Sequence, residues 1–355
     1  MEVIVVGAGV TGLAVTLHLL EGGAAVRLVD RAGIGAGASG VQPGGVRRQW
    51  ATEANCRLAQ ESYGYYLELA DRLGTRVRPR FTACGYAFVA HTEARLAELD
   101  AAVALQQRLG VPSRLLAPAE AAEVVPELEP GGIVGAAWCA EDGYFDRAQM
   151  PVEAFAEAVL ARGAEVVRED VETLGGLAAD AIVVAAGHES RALVATVGVD
   201  VPIVAEPRHL FYSAAVSERL LDPLVVASEL GFAAKQLADG RVLAADLRGD
   251  GGPADWRRTI RAGFESLLPR LQALAFSDLV SGLYDVTPDH DPILGRVADG
   301  VWLAAGFSGH GFMLAPAVGR LVADSVLGGD DPLLASYSLS RFAGRPQREV
   351  ETQVI

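Results

Sequence analysis

Apolar positions divide the chain into segments of two different rhythms. Residues 2–6 form a short β-branched run that enters GAGVTG at 7–12, and an apolar stretch with helical spacing follows to about residue 21. A second apolar run, 25–29, ends at Asp30. The order is strand, turn, helix, strand. The same alternation returns near Met150. There an amphipathic helix at 152–162 stops at Gly163, a strand follows at 164–168, and a continuously apolar strand at 181–185 enters Ala186 and Gly187. A run with no polar face suits a parallel strand covered on both sides. VWLAA at 301–305 predicts a last strand of this kind. It leads through GFSGHGF into a helix from about 313 to 327, with Pro316 in its first turn and Gly328 as its stop.

Between these segments the rhythm differs. Residues 54–73 predict one long amphipathic helix carrying Leu58, Tyr65, Tyr66 and Leu69, stopped by Gly74; 81–90 alternates as a strand, and 93–109 is helical up to Gly110. A short helix at 118–125 precedes turns at Pro126 and Pro130. From 201 to about 284 strands dominate, for example 208–214 and 241–246, interrupted by a helix at 253–267. These regions lack a βαβ rhythm and predict a second domain. Because the chain leaves the first domain and returns to it, both are discontinuous.

The first turn carries the first chemistry. After a strand and before a helix, Gly7 makes a tight turn, Gly9 admits a pyrophosphate close to the backbone, and Gly12 lets helix pack on strand. The helix start offers unpaired N–H groups and positive dipole character. Asp30 is placed to accept hydrogen bonds from both hydroxyls of an adenosine ribose and disfavours a 2′-phosphate. The pattern predicts an adenine dinucleotide and leaves nicotinamide and flavin both open. Residues 31–50 are glycine-rich, with Ser39, Gln42, Arg47 and Arg48 as the donors in a segment that otherwise has little side chain.

Composition narrows the classes. With 51% hydrophobic and 21% charged residues, 355 residues make a globular protein of about two domains. A net charge of −15 argues against nucleic acid or an anionic membrane as partner. Lys235 is the only lysine, which removes most candidates for Schiff-base chemistry. Cys56, Cys84 and Cys139 lack paired spacing and read as reduced thiols of a cytoplasmic protein. The six histidines form no helical metal pair, so no metal is expected. Without a basic leader or an apolar run of spanning length, the expectation is a cytoplasmic chain with no transmembrane segment.

Four landmarks together, the fingerprint ending at Asp30, GASGVQPGGVR at 37–47, AAG at 185–187, and TPDHDPILG with GFSGHGF at 287–295 and 306–312, resemble the FAD-dependent D-amino-acid oxidase superfamily. The likeness is to its amine branch: sarcosine oxidases, glycine oxidases, and dehydrogenases of proline or hydroxyproline. It covers almost the whole chain. It implies an α/β fold with a Rossmann-type FAD-binding domain in three pieces, 1–50, 146–205 and 286–345. A discontinuous α+β substrate domain, 51–145 and 206–285, is built on a mixed, largely antiparallel sheet that roofs the flavin. Residues 346–355 read as a polar, frayed tail.

Residue by residue, the resemblance places Gly7, Gly9, Val10, Thr11 and Gly12 at the diphosphate and Asp30 and Arg31 at the adenosine ribose. Ser39 and Gly40 fall at the diphosphate or ribityl chain, Val171 at the adenine, and Ala186 and Gly187 along the ADP. Gly306, Ser308, Gly309, His310, Gly311, Phe312 and Met313 form the loop and helix start facing the flavin edge where negative charge gathers on reduction. Arg47 falls where sarcosine oxidases place a carboxylate-binding arginine, Tyr284 lines the pocket wall, and His310 either bonds substrate or holds its loop.

The implied activity is oxidation of the C–N bond of a small amino acid or secondary amine by hydride transfer to flavin N5, giving an imine that hydrolyses. Electrons then pass to a quinone, an electron-transfer protein or oxygen. The sequence also departs from the family pattern. Gly282 replaces the cysteine that tethers FAD in monomeric sarcosine oxidases, so FAD is expected to be noncovalent. Ala245 replaces a lysine that promotes reaction with oxygen, which favours a dehydrogenase. Met313 replaces a second carboxylate-binding lysine, the 171–180 segment is short, and AGHES replaces a tryptophan-containing AGAWS. The alternative from another class is a flavin-bearing subunit or assembly partner of a larger dehydrogenase, whose FAD is structural or relays electrons. The GFSGHGF loop argues against an NAD-dependent dehydrogenase.

Overall fold

Mostly parallel strands build one sheet, and mostly antiparallel strands build the other. The computed structural model describes residues 1–248, 251–343 and 350–353. The first sheet has six strands in the order Ile293–Ala298, Val301–Ala305, Ala181–Val184, Glu2–Val6, Ala25–Val29, Glu165–Val167; all neighbours are parallel except Ile293–Ala298. Val3 and Val5 of the central strand join the core beneath the helices Val10–Glu21, Met150–Ala161 and Gly311–Val326. Ile4 and Val6 join the core on the opposite face with Ile182, Val184 and Leu303. Successive side chains point to opposite faces, so a strand covered on both reads as a continuous apolar run.

The first and last of those helices touch through their backbones. A Cβ on Gly319 would lie 2.6 Å from the Ala14 carbonyl carbon. The last helix begins at Gly311, two residues earlier than its apolar pattern predicts, so Pro316 falls inside it rather than in its first turn. A proline there leaves the carbonyl four residues back without its helical donor. That carbonyl belongs to Phe312, and the Tyr66 hydroxyl donates to it at 2.5 Å. Tyr66→Phe removes this bond and is expected to cost about 1–2 kcal/mol. The urea midpoint should fall with an unchanged slope, and an unmoved midpoint would show that the carbonyl needs no donor.

The second sheet has eight strands: Phe276–Val286, Val204–Ser213, Val242–Asp246, Phe232–Gln236, Leu224–Ala227, Tyr86–Ala90, Gly135–Cys139 and Arg114–Leu116. It is antiparallel except where Leu224–Ala227 meets Tyr86–Ala90. Phe232, Ala234, Val242 and Ala244 pack against Trp256, Ile260 and Phe264 of the helix Pro253–Leu267. Ala233, Lys235, Leu243 and Ala245 alternate with them and line a cavity.

Three sequence expectations are corrected. The helix expected over 54–73 is interrupted at Glu68 into Glu53–Leu67 and Leu69–Leu73. The strand expected over 81–90 is two. Phe81–Ala83 pairs with Gly143–Phe145 in a small sheet, and Tyr86–Ala90 enters the large one; between them Gly85 has φ +85° with its Cβ position 1.8 Å from the Trp138 ring. Of the expected tail, 346–349 and 354–355 lie outside the described residues. Glu351 and Gln353 are each 1% exposed, so this part is docked rather than frayed. The Glu351 carboxylate accepts the Ala51 N–H at 3.0 Å and the Asn55 amide at 3.0 Å, at a helix start where negative charge is favoured. No helix among the described residues is long and apolar enough to cross a membrane.

Candidate active site

The two glycine-rich bends, from opposite ends of the chain, border one cavity of about 320 Å³. Gly7, Gly9, Val10 and Thr11 line one part of it; Phe307, Gly309, Gly311 and Phe312 line another. Asp30, Arg31, Ser39, Ala186, Gly187 and Tyr284 complete the wall.

Bare backbone makes the first bend. Gly7 has φ +109°, a conformation glycine adopts freely, and its Cβ position lies 2.3 Å from the Ala185 carbonyl oxygen. The first helix has no side-chain cap from its own N-cap residue, Gly9; instead Ser39 Oγ accepts the Val10 N–H at 2.9 Å. The Asp30 carboxylate accepts N–H groups of Ala8, Ala32 and Gly33, each at 2.8 Å. A carboxylate has about four acceptor positions, and backbone N–H groups take three of them here. Arg31 pairs with Glu189 at the cavity edge.

At the second bend His310 is the N-cap of the last helix and gives it no side-chain hydrogen bond. The first N–H groups of that helix lack intrahelical partners by geometry. Gly309, at φ +91°, has its Cβ position 2.2 Å from the Tyr284 ring, so a side chain there displaces Tyr284. Gly306 donates its N–H to the Asp285 carboxylate at 2.6 Å, and Ser308, left-handed at φ 49°, donates its N–H to the Asp285 carbonyl at 2.9 Å. Burial pushes the Asp285 carboxyl up from its ordinary value.

A smaller cavity of about 80 Å³ shares the wall formed by Gln42, Pro43, Arg208, Leu210, Tyr284, Gly309 and Phe312. Beyond that wall it is lined by Tyr86, Lys235, Ala245, His310 and Met313, among others. Burial, reinforced by the Arg47 cation, pushes the His310 imidazole well below its ordinary range, so it is neutral at pH 7. Burial pushes the Tyr284 hydroxyl up, so it keeps its proton.

Six of the expected site residues line neither cavity. Gly12 packs against the first bend, its Cβ position 1.8 Å from the Gly7 oxygen, and Gly40 packs likewise against the Gly35 oxygen at 2.4 Å. Val171 packs on the apolar core at the opposite face of the six-stranded sheet. Gly306 and Ser308 hold their loop to Asp285. Arg47 is 0% exposed, and its guanidinium donates to the carbonyls of Gln49 and Gln353. It lies 4.0 Å over the Trp50 ring, with Nη2 3.4 Å from His310 Nε2. Sequence reasoning passed over Arg208 and Lys235. A lone lysine in an otherwise apolar alternating strand was the available signal for the second. Among the described residues no cluster is suited to a metal ion.

Residues 2–325 match a family model described as FAD dependent oxidoreductase (DAO). The chain is 27% identical to glycine oxidase of Geobacillus kaustophilus (strain HTA426), over 97% of this chain and 98% of that one. It is 25% identical to sarcosine oxidase subunit beta of Rhodobacter capsulatus, over 96% and 88%. It is 26% identical to 4-methylaminobutanoate oxidase (formaldehyde-forming) of Paenarthrobacter nicotinovorans over 97% of this chain, but spans only about half of that relative, 46% of its length. Among solved structures, L-proline dehydrogenase from P. horikoshii superposes with a TM-score of 0.89 at 25% identity, covering 98% of this chain and 99% of that one. Glycine oxidase from Geobacillus kaustophilus gives 0.84 at 26%, covering 96% and 99%.

Proposed function

The chain belongs to the family of FAD-dependent oxidoreductases described as DAO, and from that premise we propose that it oxidises the C–N bond of a small sarcosine-, glycine- or proline-like amine. The observation that supports this reading most is the single cavity bordered by both glycine bends and adjoined by a small second one. The residues fit noncovalent FAD. Backbone at Gly7 and Gly9 carries no side chain, and neither helix start at the cavity is capped by its own N-cap residue. Val41, Val280 and Leu283 supply apolar wall for a planar ring. Bound FAD supplies an acceptor for the hydride leaving the carbon next to nitrogen, and the resulting imine is hydrolysed by water.

The protein's own residues bind and orient. The start of the helix Gly311–Val326 presents N–H groups and positive dipole character toward the cavity. Gln42, Pro43, Tyr284 and Phe312 wall off the small cavity, where the substrate is held. At about 80 Å³, against about 320 Å³ for the first cavity, it suits a compact amine better than a long side chain. Leu210, Leu224 and Ala245 keep it apolar and exclude water. Arg208 keeps two of its five N–H groups occupied by Pro207 and Glu206, and its Nε has no partner among the described residues, so it offers donors to a substrate carboxylate. Ala245 at the cavity wall favours a dehydrogenase over an oxidase.

The test is anaerobic. Purified protein should show a flavin spectrum that one of sarcosine, glycine, D- or L-proline or hydroxyproline bleaches, and acid precipitation should release the flavin. Protein that stays colourless after incubation with FAD overturns the reading. The similarity to a sarcosine oxidase subunit, with Leu279 exposed on the edge strand Phe276–Val286, favours as second reading a flavin-bearing subunit. Copurification with a second polypeptide, together with no bleaching by any amine alone, distinguishes it.

A further inference from the structure

Lys235 is the only lysine of the 355 residues, and the strand Phe232–Gln236 carries it on the sheet face that lines the small cavity, alternate with Ala233. It is 0% exposed. Among the described residues no carboxylate lies within ion-pair distance of Nζ. Nζ donates instead to the Pro43 carbonyl and lies 4.0 Å over the Tyr144 ring. Cys84 and Asp146 act on it only through space. Pro43 belongs to the wall shared by both cavities. An unpaired buried ammonium costs several kcal/mol, so packing alone does not explain a lysine here.

The reaction proposed above poses a proton problem at this place. An amino acid arrives with its nitrogen protonated, and a hydride leaves the neighbouring carbon only when the nitrogen lone pair is free. We propose that Lys235 is the base that frees it: Nζ, as the neutral amine, takes one proton from the substrate ammonium in the small cavity. One N–H bond of the substrate breaks, one forms at Nζ, and no electrons change hands; the proton passes to water when product leaves. This deepens the amine-oxidising reading and rests on it.

The other groups facing the cavity are less suited. Arg208 does not deprotonate. Burial makes Tyr86 and Tyr284 hold their protons, and His310 and His209 are weakened as bases by burial. Asp246 receives the Arg248 N–H. Burial lowers the Lys235 ammonium to about 7, so the free amine is well populated at neutral pH, the range in which a general base works best. The Pro43 carbonyl and the Tyr144 ring both favour the cation formed. The active form is the deprotonated one, so flavin reduction should rise as pH passes upward through about 7.

The experiment is anaerobic stopped-flow reduction of the wild-type, Lys235→Met and Lys235→Ala holoenzymes by the amine that bleaches the wild type. Lys235→Met should keep flavin content and melting temperature, lose about 10²-fold or more in reduction rate at pH 7, and recover as pH approaches the substrate's own ammonium range. Methylamine should partly restore Lys235→Ala. Unchanged rate and pH profile in Lys235→Met overturn the assignment. So does an unchanged limiting rate with weakened binding of pyrrole-2-carboxylate, read from the flavin spectrum, which would make Lys235 an anion anchor. A defect confined to reoxidation in air overturns it as well. A wild type that no amine bleaches sinks the parent reading instead. Isotope labelling of the single lysine gives one side-chain signal that reads its titration without turnover or mutation. A midpoint near 7 supports the base, and titration in the ordinary lysine range overturns it.

Discussion

Gly12→Ala should yield protein that purifies without flavin and melts several degrees below wild type, although residue 12 lines neither cavity. The Cβ position lies 1.8 Å from the Gly7 carbonyl oxygen and 3.0 Å from its carbon. Both are backbone atoms, so no rotamer change relieves the clash, and overpacking of this kind costs about 1–3 kcal/mol. Gly7 has little slack to give, its N–H being donated to the Val29 carbonyl at 2.8 Å. The displacement therefore passes to Gly9 and Val10, which border the cavity. Gly9→Ala divides the effects the other way. Its methyl meets only Ser39 Oγ at 3.1 Å, a side-chain end that also accepts the Val10 N–H, so the melt should fall less than in Gly12→Ala while flavin retention weakens. Flavin-to-protein absorbance after gel filtration, set beside melting curves, separates the two variants. A Gly12→Ala protein with full flavin and an unshifted melt refutes the view that bare backbone forms this cradle.

That bend was legible in the amino-acid sequence because each of its requirements is local: a strand, three glycines at fixed spacing, and a helix. The same holds for the alternation of Val3 and Val5 against Ile4 and Val6, and for the loop before Gly311. Asp30 was legible as a position, but not the three backbone N–H groups that its oxygens accept. The tail misled for the opposite reason. Charged and amide side chains look solvated in sequence, yet both are buried: the Glu351 carboxylate accepts from Ala51 and Asn55, and Gln353 Oε1 accepts from Arg95. Nothing within a few positions of Arg47 announces a partner 306 residues away. Lys235 lay in plain view, but only the burial of its strand gives a lone lysine a chemical meaning.

Arg47 shows how far such a distant partner alters an expected role. An arginine at a cavity wall that anchors a substrate carboxylate raises KM when removed and leaves the melt alone. Arg47 instead sends its N–H groups to the Gln49 and Gln353 carbonyls, lies over Trp50, and has the buried Glu351 as an attracting charge. Arg47→Ala strips two buried carbonyls of charged donors and leaves Glu351 without that attraction. Breaking a buried charged network costs about 3 kcal/mol or more. The urea midpoint should fall accordingly, and deletion of residues 350–355 should fall with it, because both remove the same clasp. Arg47→Lys keeps the charge but not the planar fork, and one ammonium is a poor match for two separate carbonyls, so it should recover only part of the loss. His310 loses one of the three influences, with burial and His290, that hold its imidazole below the ordinary range, so its titration should move upward in Arg47→Ala. If Arg47→Ala and the truncated chain both melt like wild type while KM for the substrate rises, the guanidinium faces substrate in solution and the docked tail bears no load.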